Sequence, residues 1–94
     1  MPLTANKLPI DHFTGLETPI RSSVALGAVI RDQRKRLVLK QLDLAGLGNT
    51  GNRFIIDLEK GKPTLQLQKV LDLMDLLGLE VVVRTKASRS ATSL

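Results

Sequence analysis

Ninety-four residues suffice for one small domain with loose ends. Hydrophobic residues make up 43% of the chain but aromatics only 2%, so the core must be built from Leu, Ile and Val, and one so small makes dimerisation an expectation. The absence of cysteine excludes disulfides and thiolate metal sites, and the net charge of +5 directs attention to anionic partners.

In chain order, residues 1–20 contain Pro2, Pro9 and Pro19 and show no sustained periodicity. They read as a partly ordered arm that Leu8, Ile10 and Phe13 could lay on the domain. Asp11 and His12 interrupt any apolar run, so this start is not expected to be a secretory signal. No later stretch is apolar enough to span a bilayer, and a cytoplasmic location is expected. His12, the single histidine, has no metal-binding or catalytic companions and reads as a surface residue. Ser22 or Ser23 can cap a helix that runs to about Leu37. Its apolar stripe is Leu26, Val29, Ile30 and Leu37, with Arg31, Lys35 and Arg36 on the outer face.

Val38 and Leu39 link this helix to the stretch from Lys40 to Lys62, which reads as two short helices around a sharp corner. The first carries Leu42, Leu44, Ala45 and Leu47, and Ala45 is small enough for a second backbone to cross closely. Gly48, Asn49, Thr50 and Gly51 then break the helix, with both glycines and the asparagine suited to positive φ. The second helix, roughly Gly51 to Lys60, has Ile55 and Leu58 three apart on one side and stops at Gly61. Asn52 and Arg53 fall in its first turn and face outward. This is the pattern of a helix-turn-helix with an exposed reading end.

Pro63 and Thr64 end that unit, and a helix is expected from about Leu65 or Gln66 to Leu77. Leu67, Val70, Leu71, Met74 and Leu77 form its core stripe, which Leu73 and Leu76 widen into a surface suited to another chain. After Gly78, the run LEVVVR predicts a short β-strand from Leu79 to Arg84. A lone strand needs a partner, either the N-terminal arm or the same strand of a second subunit. Residues 85–94 are small, polar and basic, and are expected to be disordered.

The charge is concentrated. Residues 21–62 hold nine of the 14 Lys and Arg against four acids, which suits a polyanion. Arginine offers two parallel donors that match guanine, and asparagine a donor and an acceptor that match adenine. Asn52 and Arg53 are thus the principal base-reading candidates. Thr50 and Asp57 are secondary; Asp57 either accepts from a cytosine or orients Arg53. Lys40, Gln41 and Lys62 suit phosphates, as do backbone N–H groups at a helix start such as Gly51. Phe54 either meets a thymine methyl or packs against the first helix. The scattered acids and lack of a phosphate loop or metal-spaced cluster give no support to an enzyme, a cofactor or a metal site.

From about Leu26 to Leu79 the residues resemble the XRE/Cro-type helix-turn-helix repressors. Arg34, Gln41, Ala45, Ile55, Leu58, Glu59 and Gly61 fall on that family's characteristic positions. The run FIIDLEKGKPT, followed by a leucine-rich helix and a short strand, looks most like antitoxins of the HipB type. Lys40 and Gly51 stand where the family usually has a hydroxyl-bearing cap, and Asn49 where it often has glycine. The resemblance implies an ion pair between Arg34 and Glu59 and a two-stranded lid made by Val81, Val82 and Val83 across a homodimer. It also implies an operator upstream of the protein's own genes and a HipA-like serine/threonine-kinase toxin as partner.

The expected fold is therefore mainly α: a four- to five-helix Cro/repressor-like domain over residues 21–84, with its C-terminal strand pairing across a dimer. The expected function is sequence-specific repression by the antitoxin of a HipA/HipB-like pair. A stand-alone phage-type or housekeeping repressor is the nearest alternative, and a protein-interaction module without DNA binding is an alternative of another class.

Overall fold

A computed structural model describes residues 17–86. The proposed packing of Leu8, Ile10 and Phe13, the reading of His12 and most of the 85–94 tail lie outside those residues. Four helices follow in order: α1 (Ser23–Arg36), α2 (Gln41–Leu47), α3 (Asn52–Lys60) and α4 (Leu67–Leu76). None is long and apolar enough to cross a membrane.

Ser22 caps α1, its Oγ accepting the Ala25 N–H at 3.0 Å. Lys40, at the start of α2, has no acceptor on its side chain, so half a capping box forms: Asp43 Oδ2 accepts the Lys40 N–H at 2.8 Å. All four helices end alike. The N–H groups of Leu39, Thr50, Lys62 and Leu79 each reach back five residues, to the carbonyls of Arg34, Ala45, Asp57 and Met74. This closure puts the preceding residue in left-handed φ, a position filled by Val38, Asn49, Gly61 and Gly78. The corner between α2 and α3 therefore takes its positive φ from Asn49 (53°), whereas Gly48 (−86°) and Gly51 (−77°) are ordinary. Gly48 is needed for space, since a Cβ there would lie 2.5 Å from Leu73 Cδ2.

The core is Val29, Ile30, Leu44, Ala45, Ile55, Leu58, Val70, Leu73, Met74, Leu77 and Leu79, with Leu26, Leu39, Phe54 and Leu65 packed against it. α3 lies at its centre, packed on both α1 and α2. The closest crossing uses Gly27: a Cβ at that position would lie 2.5 Å from the Leu58 carbonyl oxygen and 2.8 Å from that of Glu59. Gly61 is required twice over, by its φ of 88° and by Val24 Cα, 2.5 Å from where a Cβ would stand. Two polar links close the shell. Ser23 Oγ donates to the Gly61 carbonyl (2.7 Å), and Gln33 Nε2 donates to the Leu77 carbonyl (2.9 Å).

Several expectations need correction. Leu37, Leu42 and Leu47 are exposed, because α2 is short and only Leu44 and Ala45 turn toward α3. On α4, Leu73 is core and Leu67 is surface, so the buried stripe is Val70, Leu73, Met74 and Leu77. The predicted C-terminal strand does not form in the single subunit. Leu79 is buried, but Val81, Val82 and Val83 are exposed, and no strand ladder exists among the described residues. A strand is defined by hydrogen bonds to a neighbour. Residues of the N-terminal side come close, with Arg84 Nη1 2.6 Å from Glu17 Oε1, yet no ladder pairs the two segments.

Candidate nucleic-acid interface

The placement of α3 follows from its sequence. Ile55 and Leu58 are buried, which turns Arg53 to solvent on the opposite face, while Asn52 is exposed because it opens the helix. Arg53 is 75% exposed at its side chain. One turn later on the same face, Asp57 Oδ1 lies 3.2 Å from Arg53 Nε, and its Oδ2 lies 3.7 Å from Lys62 Nζ. Arg53, Asp57 and Lys62 therefore form one charged cluster, with Asp57 between two cations.

A second set is buried beneath it. Arg34 Nε donates to Glu59 Oε2 at 2.6 Å, its Nη2 to Glu59 Oε1 at 3.0 Å, and its Nη1 to the Leu39 carbonyl at 2.7 Å. The two side chains are only 8% and 3% exposed. Gln41 Nε2 also donates to Glu59 Oε1, at 3.1 Å. The carboxylate of α3 is thus shared by α1 and α2, which fixes the tilt of all three helices. Sequence reading assigned Gln41 to phosphate contact alone and missed this internal role; nothing in residue spacing signals a bond between positions 41 and 59.

The remaining candidates are spread around this frame. Thr50 is half-buried in the corner, its N–H bonded to the Ala45 carbonyl at 2.9 Å. Lys40 and Gly51 are exposed at the starts of α2 and α3. Phe54 is half-buried against the core, with Lys69 Nζ of α4 5.5 Å from its ring centroid. Val81, Val82 and Val83 belong to the separate C-terminal run. Gly27, which sequence reading passed over, positions the interface indirectly by letting α1 touch α3. A glycine inside an otherwise regular helix is the signal that could have found it. Among the described residues, no group of three or more His, Cys, Asp or Glu is placed to hold a metal ion.

A helix held from behind, with donors at its free N-terminal turn and lysines at its flanks, can enter a major groove and read base edges. Comparison with known proteins agrees with that geometry. No family model matches the chain. An uncharacterised HTH-type transcriptional regulator, y4mF of Sinorhizobium fredii (strain NBRC 101917 / NGR234), is 41% identical over 70 residues, covering 74% of this chain and 92% of that protein. Two solved structures share the fold at a TM-score of 0.68 and 17% identity. One is an MDT protein, with 73% of this chain and 97% of that one covered. The other is a HipB variant in complex with an O2 20mer, with 74% and 97% covered. The chain belongs to the HTH-type, or helix-turn-helix, transcriptional regulators, and its fold is HipB-like.

Proposed function

We propose that this regulator is a homodimeric operator-binding repressor and the antitoxin of a HipA/HipB-like pair, acting in the cytoplasm at the nucleoid. The observation that carries the DNA half is the exposed first turn of α3, with Arg53 in solvent and Ile55 and Leu58 anchoring the helix from behind. Asn52 and Arg53 read base edges, flanked by Thr50 and Asp57. Lys40, Gln41, Lys62 and the backbone at Gly51 hold phosphates on either side. In the dimer, Val81, Val82 and Val83 of each subunit pair into a two-stranded lid, which supplies the neighbour their exposed run lacks. Two reading helices then enter successive major grooves about 34 Å apart.

The antitoxin half is supported by the HipB-like fold and by the FIIDLEKGKPT run. The proposed partner is a HipA-like serine/threonine kinase, which the antitoxin neutralises while the complex strengthens repression of their shared operon.

Enrichment from a pool of random duplexes tests the DNA half. A palindromic motif whose affinity falls steeply with salt is expected, and failure to enrich any motif rejects it. Purification from the native host tests the toxin half: a kinase-like protein should accompany the chain, and its absence leaves a stand-alone repressor. Sedimentation of a chain ending at Gly78 tests the lid, which an undiminished dimer rejects.

A further inference from the structure

Asp57 is an odd residue to find at a surface that meets a polyanion. A carboxylate there repels every DNA sequence alike, so any benefit must lie in the difference between sequences. Its surroundings indicate how. The side chain is 17% exposed, with Oδ1 3.2 Å from Arg53 Nε and Oδ2 3.7 Å from Lys62 Nζ. The α3 terminus fixes Lys62 in turn, because its N–H donates to the Asp57 carbonyl at 3.0 Å. Each carboxylate oxygen thus lies near a cation of the same molecule.

The ion pair acts on the group that would read. A guanidinium recognises guanine O6 and N7 through two parallel N–H donors. Asp57 Oδ1, 3.2 Å from Nε, draws that group to one side, on a side chain 75% exposed whose tip would otherwise sample many rotamers in solvent.

We infer that Asp57 is a positioning residue for sequence recognition: its ion pair restrains the Arg53 guanidinium so that it meets a guanine, placing one G·C pair opposite Arg53 in each operator half-site. The inference rests on the reading of Arg53 as a base-contacting residue. Asp57 itself reads no base.

The test uses the full chain and a duplex enriched from a random pool, compared with a scrambled duplex. Affinities are measured for wild type, Arg53→Ala, Asp57→Ala, Asp57→Asn and the Arg53→Ala/Asp57→Ala double variant, with melting curves to confirm folding. Asp57→Ala and Asp57→Asn should each lower the enriched-to-scrambled ratio by about twofold, since an exposed ion pair four residues apart can bias the arginine by no more than its own small stabilisation. Both should bind the scrambled duplex somewhat more tightly, having lost a repulsive charge. The double variant should show the same ratio as Arg53→Ala alone. In wild type, 7-deazaguanine at the recognised position should lower the ratio, and in Asp57→Ala it should do so by a smaller factor. A ratio unchanged in both Asp57 variants overturns the inference. So does a double variant that loses the full factor of each single change, because Asp57 would then read its own base. An Arg53→Ala protein with an intact ratio overturns the base-reading assignment itself, and this inference with it.

Discussion

Two arginine–carboxylate pairs hang from the same helix and do opposite jobs. Arg34–Glu59 joins α1 to α3, is almost wholly buried, and has its polar atoms further engaged by Leu39 and Gln41. Arg53–Asp57 lies within α3, one turn apart, with the arginine mostly in solvent. A buried pair replaced by apolar groups of like volume is often no loss, yet one broken from a single side leaves a charge stranded without water. An exposed pair spaced four residues apart in a helix contributes about 0.3–0.5 kcal/mol. Geometry that looks alike in a contact map thus serves helix placement in one case and side-chain aiming in the other.

The largest effect should come from the buried pair. Glu59→Ala is expected to cost about 3–5 kcal/mol in urea denaturation, a large share of the roughly 5–15 kcal/mol available to a small domain. The double replacement Arg34→Met/Glu59→Leu should recover most of that loss. A double variant as unstable as the single one would show that the pair contributes net stability, and the contrast with Arg53–Asp57 would then be one of degree. Gly27→Ala probes the same contact without touching charge. With carbonyl oxygens 2.5 and 2.8 Å from the new Cβ, α1 must move away from α3. A loss in the range of about 1–3 kcal/mol seen for overpacking is expected, read from the melting midpoint.

Val38 provides a prediction of the other sign. A β-branched residue at φ 59°, 87% exposed, occupies the place that Gly61 and Gly78 take at the ends of α3 and α4. Val38→Gly should relieve strain and raise stability by up to about 1–2 kcal/mol. No gain would mean that glycine's greater freedom in the unfolded chain cancels the relief. The smallest effect belongs to the exposed pair: Arg53→Ala should change folding stability by no more than about 0.5 kcal/mol while DNA discrimination falls. A stability loss comparable to that of Glu59→Ala would erase the distinction between the two pairs.

The residues differ in how much of this they disclose in sequence. Ser22, Asn49, Gly61 and Gly78 mark helix ends by local backbone chemistry, and the structure uses each at such a place. Ile55 and Leu58 are legible as core because they stand three apart on one side of α3. Leu42, Leu47 and Leu67 mislead because periodicity defines a stripe without saying how wide a neighbour covers it. Val38 is opaque for the opposite reason: its intrinsic preference argues against the conformation that the α1 closure imposes. The valines at 81–83 advertise a strand whose partner is not supplied within the described residues. At the interface, the exposure of Arg53 follows from helical periodicity and that of Asn52 from its place at the helix start. The tie from Arg53 to Asp57 is visible as a spacing of four, but Gln41 meeting Glu59 depends on how α2 docks, which no local pattern encodes.

The most direct test of the central claim, that the first turn of α3 reads bases, is protection of guanine N7 from dimethyl sulfate on an enriched duplex. Wild type should shield one guanine per half-site, and Arg53→Ala should expose that guanine while its remaining contacts keep it on the duplex. Unchanged protection in the Arg53→Ala protein would contradict the account.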